Sequence, residues 1–459
     1  MSVPIAADYL VVGAGVSAMA FVDSLIDHAD GVRVVMVDRR HGPGGHWLDS
    51  YPFVRLHQAS VYYGVASTML GDGRIMQTGP EAGQHERATA AEICAYCSRV
   101  MEGMLASGKV EFYPNCEYVG GRRFISRLSG RTHEVAAGAR LVNSSYLSPD
   151  IPRRTKPPFA VGDGARVIPA NELVDLTEAP GQYVVVGAGK TATDTCVWLL
   201  ENGVDPDGIC WLRPRDPWMF NRAALQPDPA KYFQFAAHIV MAAAAAESAE
   251  DMFFRLEDFG SVLRIDPSVN PTMAKTPTIA QWEIDILCTV ENVLRLGHLR
   301  RVEPGRLFFA TSEVEVAKDA VVVHCAASGL KYRPVVPIWS EEAITLQPVR
   351  AGFPCFGAAL TGYVEATRID DADKNRVCRP SPLSDTPTSW ARMQVMANRA
   401  SQALAAEPDV REWAHRTTLN PGRVPPERAG DSGVAAALEQ FKANVGPGMA
   451  RMAEFAELP

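Results

Sequence analysis

One pattern occurs twice in this chain: a short apolar run, a glycine turn and a helix-like stretch. The first copy runs from Tyr9 to Val12, through Gly13-Ala14-Gly15-Val16-Ser17-Ala18, into Met19 to Ile26. Val32 to Val37 follow, mostly apolar and β-branched, and end at Asp38, 25 positions after Gly13. Strand, glycine turn, helix and a second strand closed by an acid make a complete βαβ dinucleotide fingerprint. Gly13 permits the tight turn, and Gly15 lets the backbone approach a pyrophosphate at the helix N-terminus. Ala18 keeps helix and strand close, and Asp38 accepts hydrogen bonds from ribose hydroxyls.

The second copy begins with Tyr183 to Val186 and turns at Gly187-Ala188-Gly189-Lys190-Thr191-Ala192. A helix-like stretch from Thr193 to Leu200 and a strand from Ile209 to Leu212 follow, closed by Arg213. Arg213 lies 26 positions after Gly187, close to the register of Asp38 in the first copy. An acid there favours a free 2′-hydroxyl, whereas an arginine pairs with the 2′-phosphate of NADP, so the two sites differ in ligand. Arg215 either adds a second cation or stands solvated beside Pro214. The Gly-Lys-Thr string is not a triphosphatase loop, because the position five residues before Gly189 is Val184 and not glycine.

With 459 residues the chain has room for two or three domains. Its 47% hydrophobic and 21% charged residues are those of a globular protein and exclude a disordered chain. A net charge of -8 without a Lys/Arg-rich run argues against a general nucleic-acid binder. Nine scattered cysteines, an odd number, do not form a disulfide framework, and a reducing cytoplasm is the expected compartment. No basic n-region opens the chain. The longest apolar stretch, around Phe233 to Ala246, is interrupted by Gln234 and His238 and falls short of the roughly 20 residues that cross a bilayer. A soluble protein is expected, without membrane or metal.

Gly44-Gly45-His46-Trp47 followed by Tyr51-Pro52 resembles the GG-x-W…YP element of class B flavoprotein monooxygenases, the group holding flavin-containing and Baeyer-Villiger monooxygenases. The resemblance extends to about residue 400. It implies an α/β fold of two Rossmann-like dinucleotide-binding domains, the NADPH domain inserted in the FAD domain. Residues 1–155 form the first part of the FAD domain, 165–315 the NADPH domain, 316–405 the second part of the FAD domain, and 406–459 a helical tail. It implies FAD on Asp38 and Arg39 and along Gly45, His46 and Trp47, and NADPH on the second turn. The flavin would be reduced by NADPH, activate molecular oxygen at its C4a position and transfer one oxygen atom to a small organic substrate. A polar side chain from the segment after the GGHW loop lies near the flavin ring in this family, and His57 or Gln58 is its counterpart.

The chain departs from the family between Phe159 and Asn171, where the signature linker carries a histidine and this sequence has none. A dehydrogenase, reductase or oxidase on the same scaffold is therefore the alternative activity, and a catalytically silent cofactor-binding sensor the third. Cys94 and Cys97 form C-x-x-C within a helical pattern from Arg87 to Met104 and are expected to pack as small hydrophobes. The segment 217–297 is read as a helical insertion, with helices over Ala236 to Ala246, Asp251 to Leu256 and Gln281 to Leu296, either roofing the site or serving as scaffold or oligomer contact. Phe353 to Ala366 is expected as a strand region completing the FAD sheet. Pro387 to Leu404 reads as a helix whose positive end points toward the flavin by family analogy, and a helix from Gly433 to Asn444 packs outside or against a neighbour.

Overall fold

The computed structural model describes residues 4–327, 329 and 331–458. The sequence from Asp319 to Gly329 is expected to be a strand and turn that return the chain from the NADPH domain, and Ser328 of that turn lies outside the described residues. Two five-stranded parallel sheets organise the chain. In the first, Tyr9–Val12 lies between Val34–Val37 and Arg140–Asn143, with Val110–Tyr113 and Ile344–Thr345 at the edges. In the second, Tyr183–Val186 lies between Ile209–Leu212 and Val321–His324, with Val293–Leu294 and Arg166–Pro169 outside them. Val34–Val37 and Tyr183–Val186 are buried at every position, as apolar β-branched runs are when both faces of a parallel sheet are covered.

Each glycine turn leads from the central strand of its sheet into a helix, Val16–His28 in the first unit and Lys190–Glu201 in the second. The second sheet keeps Val321–His324, so the chain returns to the first sheet at Ile344–Thr345, later than the expected boundary at residue 316. The expected strand from Phe353 to Ala366 is instead the helix Pro354–Thr367, packed on Val16–His28. Its glycines allow close approach rather than breaking a strand. A Cβ on Gly362 would collide with the Phe21 carbonyl oxygen, and one on Gly357 would lie 3.0 Å from the Val349 amide nitrogen.

The insertion is only partly helical. Pro229–Ala245 starts on the Asp228 cap and Ala249–Asp258 on the Ser248 cap. The helix expected over Gln281 to Leu296 ends at Leu287, because Val293–Leu294 is drawn out to pair with Ile209–Leu212. A small sheet joins these parts, with Met219–Asn221 between Val262–Leu263 and Thr278–Ile279. The tail helix is longer than expected, Ser432–Phe455, and lies on Pro229–Ala245 of the same chain. The two backbones meet at Gly448, where a Cβ would collide with the Val240 carbonyl oxygen. The helix Ala90–Ala106 begins at Thr89, whose hydroxyl and the Glu92 carboxylate form a reciprocal capping box. Among the described residues no helix is long and apolar enough to cross a membrane.

Candidate functional site

The first turn has the geometry of a diphosphate cradle. Gly13 takes φ +109°, and a Cβ there would collide with the Ser144 hydroxyl. Gly15 caps the helix and leaves its N-terminal amides without a side-chain partner. Gly45, at φ +60°, lies so close that its Cβ would stand 2.8 Å from the Gly15 Cα. The Gly44 amide donates to the Ala14 carbonyl at 2.8 Å. Asp38 is buried at the end of its strand and accepts from the amides of Ala14 and Arg40, each at 2.8 Å. Ala18 is buried one helical turn on. Beyond Asp38 a cavity of about 530 Å³ opens, lined by Arg39, Arg40, Asn115, Arg127, Arg153 and Arg154 among others. An acid for a ribose, an uncapped helix start and an arginine-lined cavity fit the adenosine diphosphate half of FAD.

The segment Gly45–Asp49 is a short 3-10 helix with Trp47 buried, and the Trp47 indole nitrogen donates to the Tyr63 hydroxyl at 2.5 Å. His46 lies against Trp47, their ring centroids 5.2 Å apart. Burial, and then the nearby Arg40 charge, push the His46 imidazole down to about 4. Burial pushes the Asp49 carboxyl up, but hydrogen bonds and charge from Arg154 and Arg40 outweigh it and hold the group below its usual range. The Asn171 amide reaches the Asp49 carbonyl at 3.1 Å, so the linker braces this loop through an asparagine.

After Trp47 the chain passes between the two units. Tyr51 donates to Asp194 at 2.7 Å, and Phe53 stacks on Trp198 with centroids 4.8 Å apart; both partners belong to the helix of the second unit. His57 and Gln58 follow, half-buried in a bend outside any helix or strand. His57 Nδ1 is buried without a hydrogen-bond partner. Burial, and then the charges of Lys190, Arg222 and Arg87, hold the imidazole well below its usual range, so it is neutral at physiological pH.

The second turn repeats the first with different side chains. Gly187 takes φ +134°, Gly189 starts the helix with open space where its Cβ would be, and Ala192 is fully buried. Lys190 stands on the first helical position and pairs with Asp194 at 2.5 Å, while the Thr191 carbonyl accepts from the Thr195 hydroxyl. Burial lowers the Lys190 ammonium against the pull of Asp194. Asp194 was not anticipated from the sequence, although its place four residues after Lys190 is a helical pairing signal.

Arg213 occupies the register read from the sequence but does not stand free. It is 2% exposed, its guanidinium lies 4.6 Å from the centre of the Trp211 ring, and Asp216 is 3.4 Å away. Its Nε and Nη1 have no hydrogen-bond partner. Arg215 does not stand free beside Pro214, although its side chain is 34% exposed. It is bound to the Asp385 carboxylate at 2.7 Å and to the Thr272 carbonyl at 2.8 Å. This contact ties the second unit to the start of the helix Pro387–Ala405, which opens on Thr386. Phe353, at the start of the helix Pro354–Thr367, packs on the loop after Trp47, with its ring centre 5.2 Å from that of Tyr62.

The C-x-x-C pair is part of the packing beneath the GGHW loop. A Cβ on Gly44 would touch Cys94 Sγ and Cys97 Cβ, each at 3.9 Å. Both are free thiols, and burial raises both, Cys97 to about 12. Among the described residues no three His, Cys, Asp or Glu side chains are grouped to hold a metal ion.

No family model matches the chain. Over 417 residues it is 41% identical to the uncharacterized protein Rv2000 of Mycobacterium tuberculosis and to Mb2023 of Mycobacterium bovis, covering 90% of this chain and 77% of each relative. Among solved structures, the polycyclic ketone monooxygenase of the fungus Thermothelomyces thermophila superposes with a TM-score of 0.52 at 12% identity, over 100% of this chain and 89% of that one. The OTEMO complex with FAD and NADP superposes with a TM-score of 0.50 at 13% identity, over 97% of this chain and 99% of that one. The two-unit fold is that of class B flavoprotein monooxygenases.

Proposed function

We propose that this chain, which belongs to one family with the mycobacterial proteins Rv2000 and Mb2023, is an FAD- and NADPH-dependent monooxygenase acting on a small organic molecule at a nitrogen, sulfur or activated carbon centre. The observation that carries the reading is the course of the loop after Gly44-Gly45. It leaves one dinucleotide turn, docks on the helix of the other through Tyr51 and Asp194, and brings His57 under the charge of Lys190 at the start of that helix.

Bound FAD supplies hydride acceptance and oxygen activation, chemistry no side chain here provides. Asp38, Gly13, Gly15 and the Gly44-Gly45 approach would hold its adenosine diphosphate half, and Gly187, Gly189, Lys190 and Arg213 the NADPH. The neutral imidazole of His57 offers an unpartnered Nδ1 to hydrogen-bond the flavin or the group reacting there. Tyr62, Tyr63 and Trp47, all packed in the apolar core around this loop, keep water from it.

The test is to reduce the purified yellow protein anaerobically with NADPH and admit isotopically labelled oxygen with amines, sulfides and ketones. One labelled oxygen atom in a product supports the reading. Reoxidation that yields only hydrogen peroxide with every substrate overturns it in favour of an oxidase or dehydrogenase. That second reading draws on the linker, where Asn171 and not a histidine meets the FAD loop.

A further inference from the structure

His57 sits in a bend whose carbonyl oxygens no helix or strand satisfies. The groups that satisfy them come from elsewhere in the chain. The Leu56 carbonyl accepts from Arg87 Nη1 at 2.9 Å. The His57 carbonyl accepts from two side chains of the insertion, Arg222 Nε at 3.3 Å and the Thr278 hydroxyl. These two donors are neighbours in the small sheet, where Phe220 pairs with Thr278, Asn221 with Ile279, and the Arg222 amide donates to the Ile279 carbonyl at 2.9 Å. Together they form a two-pronged grip on one carbonyl.

The grip is itself fixed. Arg222 is 1% exposed and bonded at both ends of its guanidinium, to Glu81 Oε1 and to Glu283 Oε2, each at 2.6 Å. Glu283 also accepts the Ala280 amide at 2.7 Å, and Glu81 is shared with Arg87. Taking such charges out of water is poorly repaid in stability, since apolar residues of equal size often do as well. What a buried arginine between two carboxylates does supply is a guanidinium that cannot turn. The backbone of His57 is thus set by the insertion while the Nδ1 of its ring remains unbonded.

We infer that Arg222 and Thr278 are positioning residues for His57, which places the insertion in the active site as the part that sets the imidazole against the flavin. The inference rests on the proposed flavin site. It is tested with FAD-loaded protein carrying Thr278→Val, Thr278→Ser, Arg222→Lys, His57→Ala, and His57→Ala with Thr278→Val, by the absorption spectrum of the bound flavin and the rate of its anaerobic reduction by NADPH.

Thr278→Val is expected to retain flavin and melting temperature, to shift the flavin spectrum, and to slow reduction about tenfold. Thr278→Ser, which restores the hydroxyl, returns both readouts to wild type. In the His57→Ala background Thr278→Val adds no more than about twofold, because the residue to be positioned is gone. Arg222→Lys, which keeps the charge but loses the fork, gives the same spectral shift. A Thr278→Val protein with wild-type spectrum and rate, or a full tenfold loss without His57, overturns the inference. Wild-type protein that retains no FAD overturns the proposed function, and the inference with it.

Discussion

The Tyr51 hydroxyl donates to the Asp194 carboxylate at 2.7 Å, joining the loop of the first dinucleotide unit to the helix of the second. Asp194 is held from the other side by Lys190 at 2.5 Å. Tyr51→Phe therefore removes the link without leaving a lone buried charge. The expected loss is about 1 kcal/mol of unfolding free energy, the net value of one such bond. Urea unfolding of the variant measures it, and no change would mean that the two units are held together elsewhere.

The first turn makes a sharper demand on Gly45, whose Cβ would stand 2.8 Å from the Gly15 backbone at a φ of +60°. Gly45→Ala is expected to open the cradle and release FAD. The purified variant should be colourless while its far-ultraviolet circular dichroism stays that of a folded protein. A yellow variant with wild-type affinity would move the diphosphate away from this contact.

Arg213 and Asp216 predict opposite effects on coenzyme choice. Removing the guanidinium in Arg213→Ala should weaken NADPH at least about tenfold more than NADH, because only NADPH carries the phosphate. Asp216→Asn removes the acid 3.4 Å from Arg213 and should shift preference toward NADPH. Steady-state kcat/KM for both coenzymes decides. Equal losses in Arg213→Ala would separate this arginine from the 2′-phosphate.

Two histidines near the flavin loop are held neutral by burial and neighbouring cations, His46 down to about 4 from its usual 6.5, and His57 well below 6.5. The unfolded chain takes up protons on both as pH falls through 6.5, while the folded chain does not. Stability is therefore fully present above that pH and falls as pH drops from 6.5 toward 4. Between pH 7 and 5 the loss is expected to be roughly 1 to 2 kcal/mol for such a group, and His46→Gln should flatten it. Chemical unfolding at a series of pH values measures the slope. A slope unchanged by His46→Gln would assign the acid sensitivity to Asp49 and other carboxylates.

The two glycine turns, the acid closing one and the arginine closing the other were legible in the sequence because each is written within a stretch of some 30 residues. What surrounds them was not. The stacking of Arg213 on Trp211 follows the strand pattern, but Asp216 and Asp385 meet the two arginines only through tertiary packing. Gly357 and Gly362 read as interruptions of a strand, yet they are the places where one helix touches its neighbours. The expected helix after Gln281 was cut short because two of its later residues are taken by an edge of the second sheet. Arg222, Thr278 and Glu283 carry no motif at all. They matter because a sheet formed far along the chain delivers Arg222 and Thr278 to a carbonyl made much earlier, and Glu283 holds Arg222 there.

The packing of Pro354–Thr367 on Val16–His28 has a consequence for synthesis. By the time the strand Arg140–Asn143 has been translated, four of the five strands of the first sheet exist, but the helix that covers the first helix is still more than 200 residues away. At roughly 5–20 residues per second a ribosome takes about ten seconds or more to deliver it. For that interval the nascent first unit presents a bare apolar face to water. Chains stalled or cleaved before residue 354 are expected to be chaperone-bound or insoluble, whatever the condition of their first dinucleotide turn.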